Sequence, residues 1–108
     1  MRWLILLLPL AACAPGHRGH DEAKALIAAR CAACHRVPGV PQATGRVGPS
    51  LDGIARQQII AGFFPHDRPT MTRWVANAQT MLPGNAMPDT GLTPAQAAKV
   101  TDYLETLE

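Results

Sequence analysis

Cys31-Ala32-Ala33-Cys34-His35 is the stretch on which the reading of this chain turns. Two cysteines three positions apart can reach the two vinyl groups on one side of a porphyrin and close thioether bonds. The histidine that follows then lies under the iron and supplies an axial ligand. C-x-x-C-H is accordingly read as the attachment site of one covalent c-type haem, carried by Cys31, Cys34 and His35. Ala32 and Ala33 are small, so the backbone can approach the ring edge. Three plainer readings compete. A thioredoxin-like dithiol needs a βαβ context, which the sequence lacks. A structural zinc site needs four ligands, and no second Cys/His pair is spaced to complete it. A simple disulfide leaves His35 without a role.

An electron carrier needs a second axial ligand that keeps substrates off the iron. The candidates are Met71, Met81, Met87, His66, His17 and His20. Met71 falls on the apolar stripe of an expected helix and reads as core. His66 adjoins a helix cap and reads as surface, and His17 and His20 fall in a tether. Met81 stands at a helix end beside Leu82. Met87 is flanked by prolines in Pro83-Gly84-Asn85-Ala86-Met87-Pro88, a loop with little unfolded freedom to lose. Met87 is the leading candidate, with Met81 and His66 as the alternatives. A soft thioether favours ferrous iron, so His/Met ligation predicts a relatively oxidising carrier.

Outward from these motifs, an all-α chain is expected, with four to five short helices and long loops. Asp21 is placed to cap a helix running from Glu22 into the cysteine motif. Residues 36–49 are rich in Pro and Gly and read as loop. A short helix is expected over Ser50–Gln58. Asp67 caps another, with Pro69 in its first turn and Met71, Trp74, Val75 and Ala78 on one stripe. Leu82–Gly91 is loop. Thr93-Pro94-Ala95-Gln96 is a capping box, followed by an apolar face of Ala97, Val100, Leu104 and Leu107. No alternation suggests strands. Loops this long in a compact domain usually serve a function, and wrapping a cofactor is one.

The 108 residues allow one domain, and the first dozen read as an export signal: Arg2, then an apolar run from Leu4 to Ala12. That run is short of the roughly 20 residues a membrane-spanning helix needs. Three cysteines leave one thiol beyond the attachment pair. Leu10-Ala11-Ala12-Cys13 resembles a bacterial lipobox, in which the cysteine is acylated. The rival, cleavage after Ala14, would put Pro15 at the cut. The expected organisation is a lipoprotein signal over 1–12, lipidated Cys13 and a tether over 13–20, and the haem domain over 21–108. This places the protein on the periplasmic side of a bacterial membrane. A domain this small, with few aromatic residues, needs a staple, and a large apolar cofactor is one. The formal charge of +2 includes no basic run and suggests no nucleic-acid partner.

Taken in order and spacing, the attachment motif, Val47-Gly48-Pro49-Ser50-Leu51 and the Met87 loop resemble a class I cytochrome c over roughly residues 22–107. The resemblance implies that the Pro49 carbonyl accepts a hydrogen bond from His35. It also implies that the first and last helices cross through Ala23, Ile27 and Tyr103, with Ala23 where glycine is usual. Arg56-Gln57-Gln58-Ile59-Ile60-Ala61-Gly62, Pro65 and Arg73-Trp74-Val75 look closest to the cytochrome c domain fused to cytochrome oxidase subunit II. No copper-binding domain precedes it here. By that likeness Trp74 and Arg56 would bond haem propionates.

The expected function is one-electron transfer in a respiratory chain, with redox proteins as partners, an oxidase among them, and no enzymatic activity. Arg30, Arg36 and Arg46 near the motif suggest a basic haem edge that docks an acidic partner. The alternatives are the electron-accepting subunit of a periplasmic dehydrogenase, and a haem sensor in which Met87 leaves the iron.

Overall fold

The computed structural model describes residues 18–108. Cys13, His17 and the expected signal lie outside them. Helix α1 runs Arg18–Arg30, α2 Arg68–Met81 and α3 Pro94–Leu104, with a single 3-10 turn at Ile54–Arg56. The all-α expectation holds, with three α-helices and one 3-10 turn among the described residues. None of them is long and apolar enough to cross a membrane.

Helix α1 begins earlier than expected. Asp21 stands within its first turn instead of capping it, so part of the expected tether is helical. Its C-terminal end runs directly into the cysteine motif, where the amides of Cys31 and His35 donate to Ile27 and Cys31 carbonyls at 2.8 and 2.9 Å. Helix α2 starts as the sequence indicates, with the Asp67 carboxylate accepting from the Thr70 amide at 2.8 Å. Helix α3 has its full capping box: Thr93 and Gln96 exchange bonds of 3.2 and 3.0 Å.

Two expectations fail. Ser50–Gln58 is not a helix, because Gly53 takes a left-handed backbone at φ 71° and admits only the 3-10 turn after it. A two-stranded hairpin, unforeseen, pairs β1 Ile59–Ile60 with β2 Phe64–Pro65. Strands of two residues are too short to show alternation. The turn between them has positive φ at both Ala61 (53°) and Gly62 (78°), closed by the Phe63 amide on the Ile60 carbonyl at 3.1 Å. This is the pattern of a type I′ hairpin turn, normally the province of Asn and Gly.

The core forms where α1 and α3 cross. Ala23, Ile27, Ala97 and Val100 are essentially without solvent exposure, and Tyr103 seals the crossing. The Tyr103 hydroxyl donates to the Pro38 carbonyl at 2.6 Å, pinning the loop after the cysteine motif. Gly39 sits against that hydroxyl at φ 81°, with no room for a Cβ. Lys99 and Glu22 pair at 2.6 Å across the same helices, and Arg68 pairs with Asp102 between α2 and α3. Both pairs are exposed and add little stability.

Candidate functional site

One cavity of about 600 Å³ opens among these elements. Cys31, Cys34 and His35 line it, together with Trp74 and Val75 of α2 and Val100 and Leu104 of α3. Its size suits a drug-sized or larger cofactor, and its lining is mainly apolar.

His35 is fixed from behind. Its Nδ1 lies 2.7 Å from the Pro49 carbonyl oxygen, which can only accept, so Nδ1 carries the proton and donates. The lone pair is then on Nε2, the tautomer a metal ligand needs, and the bond raises its basicity. The segment after the motif wraps back to make this possible. The amides of Gly45, Gly48 and Leu51 donate to the carbonyls of His35, Cys34 and Arg36 at 3.2, 2.7 and 2.9 Å. The wrap is close: a Cβ on Gly48 would stand 2.5 Å from His35 Cε1, and one on Gly45 equally near the Cys34 backbone.

Cys31 and Cys34 are unpaired thiols. Burial, with a smaller contribution from Cys34, pushes the Cys31 thiol up to about 11. A redox-active or nucleophilic dithiol has the opposite perturbation, a lowered thiol pKa. Among the described residues no group of three or more His, Cys, Asp or Glu side chains is placed to hold a bare ion. The donor set, two thiols and one oriented imidazole on the wall of an apolar cavity, suits a flat macrocycle that brings its own metal.

Two methionines line the cavity, Met71 and Met87. Met71 is buried in the core as the sequence suggests. Met87 comes from the loop, which is laced by side chains. Its amide donates to Asn85 Oδ1 at 2.6 Å, and Asn85 Nδ2 donates to the carbonyls of Leu82 and Ala78 at 2.7 and 3.2 Å. Met81 is not on the cavity wall. Neither is His66, whose Nδ1 and Nε2 are both engaged, with the Gln57 carbonyl and Glu105 Oε1, each at 2.6 Å. Those bonds, the one to Glu105 foremost, raise the His66 pKa. His20 belongs to α1 rather than a tether and meets Tyr103 edge-on at 5.6 Å.

Trp74 lines the cavity and also packs on Phe64, 5.9 Å between ring centres. Arg56 does not. Its guanidinium stands beside Gly53 and is exposed, while Arg30 and Gln57 are among the residues lining the cavity. Sequence reasoning missed Gln79, Asp89 and Thr90, which bind the Met87 loop to α2. Polar residues at a helix end and in a loop carry no periodic signal.

The comparisons with known proteins agree with this geometry. Residues 20–108 match the family model described as Cytochrome c. Cytochrome c2 iso-2 of Magnetospirillum molischianum is 37% identical over 91 residues, covering 72% of this chain and 91% of the relative. Its counterpart in Magnetospirillum fulvum is 38% identical over 90 residues, covering 71% and 91%. Cytochrome c oxidase subunit 2 of Bacillus sp. (strain PS3) is 30% identical over 91 residues, covering 81% of this chain but 26% of that larger protein. The chain therefore belongs to the class I cytochrome c family and is a c-type electron carrier whose cofactor is covalent haem c.

Proposed function

We propose that this chain shuttles single electrons from a respiratory donor to a terminal oxidase, with Cys31 and Cys34 as the thioether anchors and His35 and Met87 as the axial ligands. The observation that carries this reading is the shared cavity: a rear-bonded His35 on one wall and Met87 on a laced loop. The haem supplies the reversible one-electron chemistry. The protein's part is to orient His35 through Pro49, exclude water with apolar walls and keep Met87 in place. Trp74, which lines the cavity and carries an indole N–H, is suited to donate to a propionate. Arg56, exposed beside Gly53, is the second candidate for that role. An oxidase as acceptor is supported by the likeness to oxidase subunit 2. The carrier role leaves no substrate position on the iron, hence no enzymatic turnover of its own.

The test is the optical spectrum of the oxidised holoprotein. A weak far-red sulfur-to-iron band, lost in Met87→Ala, is expected; its persistence in that variant would rule Met87 out. Cys13 is proposed as a lipid anchor holding the domain at the periplasmic face of a membrane. Its support is the lipobox-like Leu10-Ala11-Ala12-Cys13. Cys13→Ser should release the haem protein from the membrane fraction, and retention there would refute the anchor.

A further inference from the structure

Helix α2 does not run straight to its end. Asn77 leaves the helical region, at φ −138° and ψ 59°, and breaks the helix one turn before Met81. A break exposes backbone groups that must find other partners. Here the partners come from the segment that follows Met87. The Thr90 hydroxyl donates to the Val75 carbonyl at 2.9 Å, and its amide lies 3.4 Å from the Ala76 carbonyl. On the other side of the break the Gln79 amide donates to Asp89 Oδ1 at 3.0 Å.

The break turns Gln79 into the loop. Its Nε2 donates to two loop carbonyls, Asn85 at 2.8 Å and Met87 itself at 2.7 Å, while its Oε1 accepts from the Gly84 amide at 3.1 Å. One side-chain amide thus spends both donors and its acceptor on three backbone groups of residues 84–87. No other side chain among the described residues bonds the Met87 carbonyl.

We propose that Gln79, aimed by the break at Asn77, is the positioning residue that holds Met87 at the iron and sets how often this ligand opens. The inference rests on the reading of Met87 as axial ligand. Without the two donated bonds the Asn85 and Met87 carbonyls lose these partners, and the loop keeps only the Asn85, Asp89 and Thr90 bonds to α2. Each such bond, to a partly buried carbonyl, contributes a modest net stabilisation, and losing the set costs the closed loop roughly a tenfold to hundredfold preference over the open one.

The test uses the full holoprotein and two variants of Gln79. Gln79→Met keeps the side-chain length and removes all three bonds. The pH midpoint at which the far-red band disappears should fall by about one to two units, and carbon monoxide association with the ferrous protein should quicken by a similar factor of ten to a hundred. Gln79→Glu keeps the acceptor but sets a carboxylate against two carbonyl oxygens. Its band should strengthen as pH drops and the carboxyl regains a proton to donate, a response absent from Gln79→Met. Thr72→Val is the structural control: it removes the Thr72–Thr101 hydroxyl bond (3.0 Å) between α2 and α3, remote from the loop in sequence. It should lower the unfolding midpoint without moving the band. If Gln79→Met shifts the band midpoint and carbon monoxide rate no more than Thr72→Val does, Gln79 is packing only and the proposal is overturned. If the band survives Met87→Ala, the ligand reading and this proposal fall together; if it is lost there but Gln79→Met leaves its pH midpoint unmoved, this proposal alone falls.

Discussion

Replacing Gly48 with alanine should displace the proximal histidine by a predictable amount. The added methyl would stand 2.5 Å from His35 Cε1 and 2.9 Å from Nδ1, where ordinary contact begins near 3.4 Å. The ring must retreat from the 48–49 backbone by about 0.9 Å. A retreat of that size takes the 2.7 Å bond to the Pro49 carbonyl out of hydrogen-bonding range. Overpacking of this kind costs about 1–3 kcal/mol. The lost bond adds about 1 kcal/mol. The sum, roughly 2–4 kcal/mol, is a large share of the ~5–15 kcal/mol typical of a domain. Guanidinium unfolding of the holoprotein reads the stability. The control is Gly62→Ala, at φ 78° with nothing within 4 Å of the new Cβ, which carries only the left-handed backbone cost of about 1–2 kcal/mol. A second readout is the reduction potential. Without the Pro49 bond the imidazole is a weaker donor, ferric iron loses more than ferrous, and the potential should rise. If Gly48→Ala is no less stable than Gly62→Ala and its potential is unchanged, the account of how His35 is held is wrong.

Two further outcomes are expected. His66 has a raised pKa, chiefly through Glu105, so its bonds stabilise the fold fully below its ordinary value of 6.5 and are lost as pH climbs through the raised value. The unfolding midpoint should therefore fall as pH climbs above 6.5, and His66→Gln should flatten that slope; an identical slope in the variant would assign it to another group. Ala61→Gly relieves a non-glycine residue at φ 53°. It should stabilise the protein by about 0.5–1 kcal/mol, the relief of left-handed strain less the extra unfolded entropy of glycine. A destabilised Ala61→Gly would mean that the Ala61 methyl contributes more to the cavity wall than its backbone strain costs.

What could be read from the sequence divides along physical lines. Caps are local, so Asp67 and Thr93 announce their helices with side chains three residues from the amides they bind. Helical stripes are periodic, so Met71, Val75, Ala97 and Val100 were visible as core. Attachment chemistry fixes its own spacing, so Cys31, Cys34 and His35 stood out without help. The resemblance to class I cytochromes c supplied what spacing does not, the reach of the Pro49 carbonyl to His35. The illegible parts depend on tertiary partners. Nothing in Trp74-Val75-Ala76-Asn77-Ala78-Gln79 announces a break at Asn77, because the groups that stabilise it, Asp89 and Thr90, come from the far end of the following loop. The hairpin at 59–65 is held by only a few bonds, and Gly53 blocks the expected helix at 50–58 by a backbone angle no composition reveals. Arg56 and Trp74 were assigned by likeness alone, since no local pattern marks a side chain as a propionate partner.

The crossing of α1 with α3 also governs the order in which this structure can be made. About sixty residues separate the two helices, and that span must be closed before Ile27 meets Val100. Such distant pairings make folding slower than in a bundle of neighbouring helices. Val100 and Leu104 also line the cavity, so the site cannot be completed by the first part of the chain alone. Until α3 has docked, the Cys31–His35 segment has no finished pocket over it. The thiols stay open to an incoming haem during that interval, and the docking of the last helix ends it.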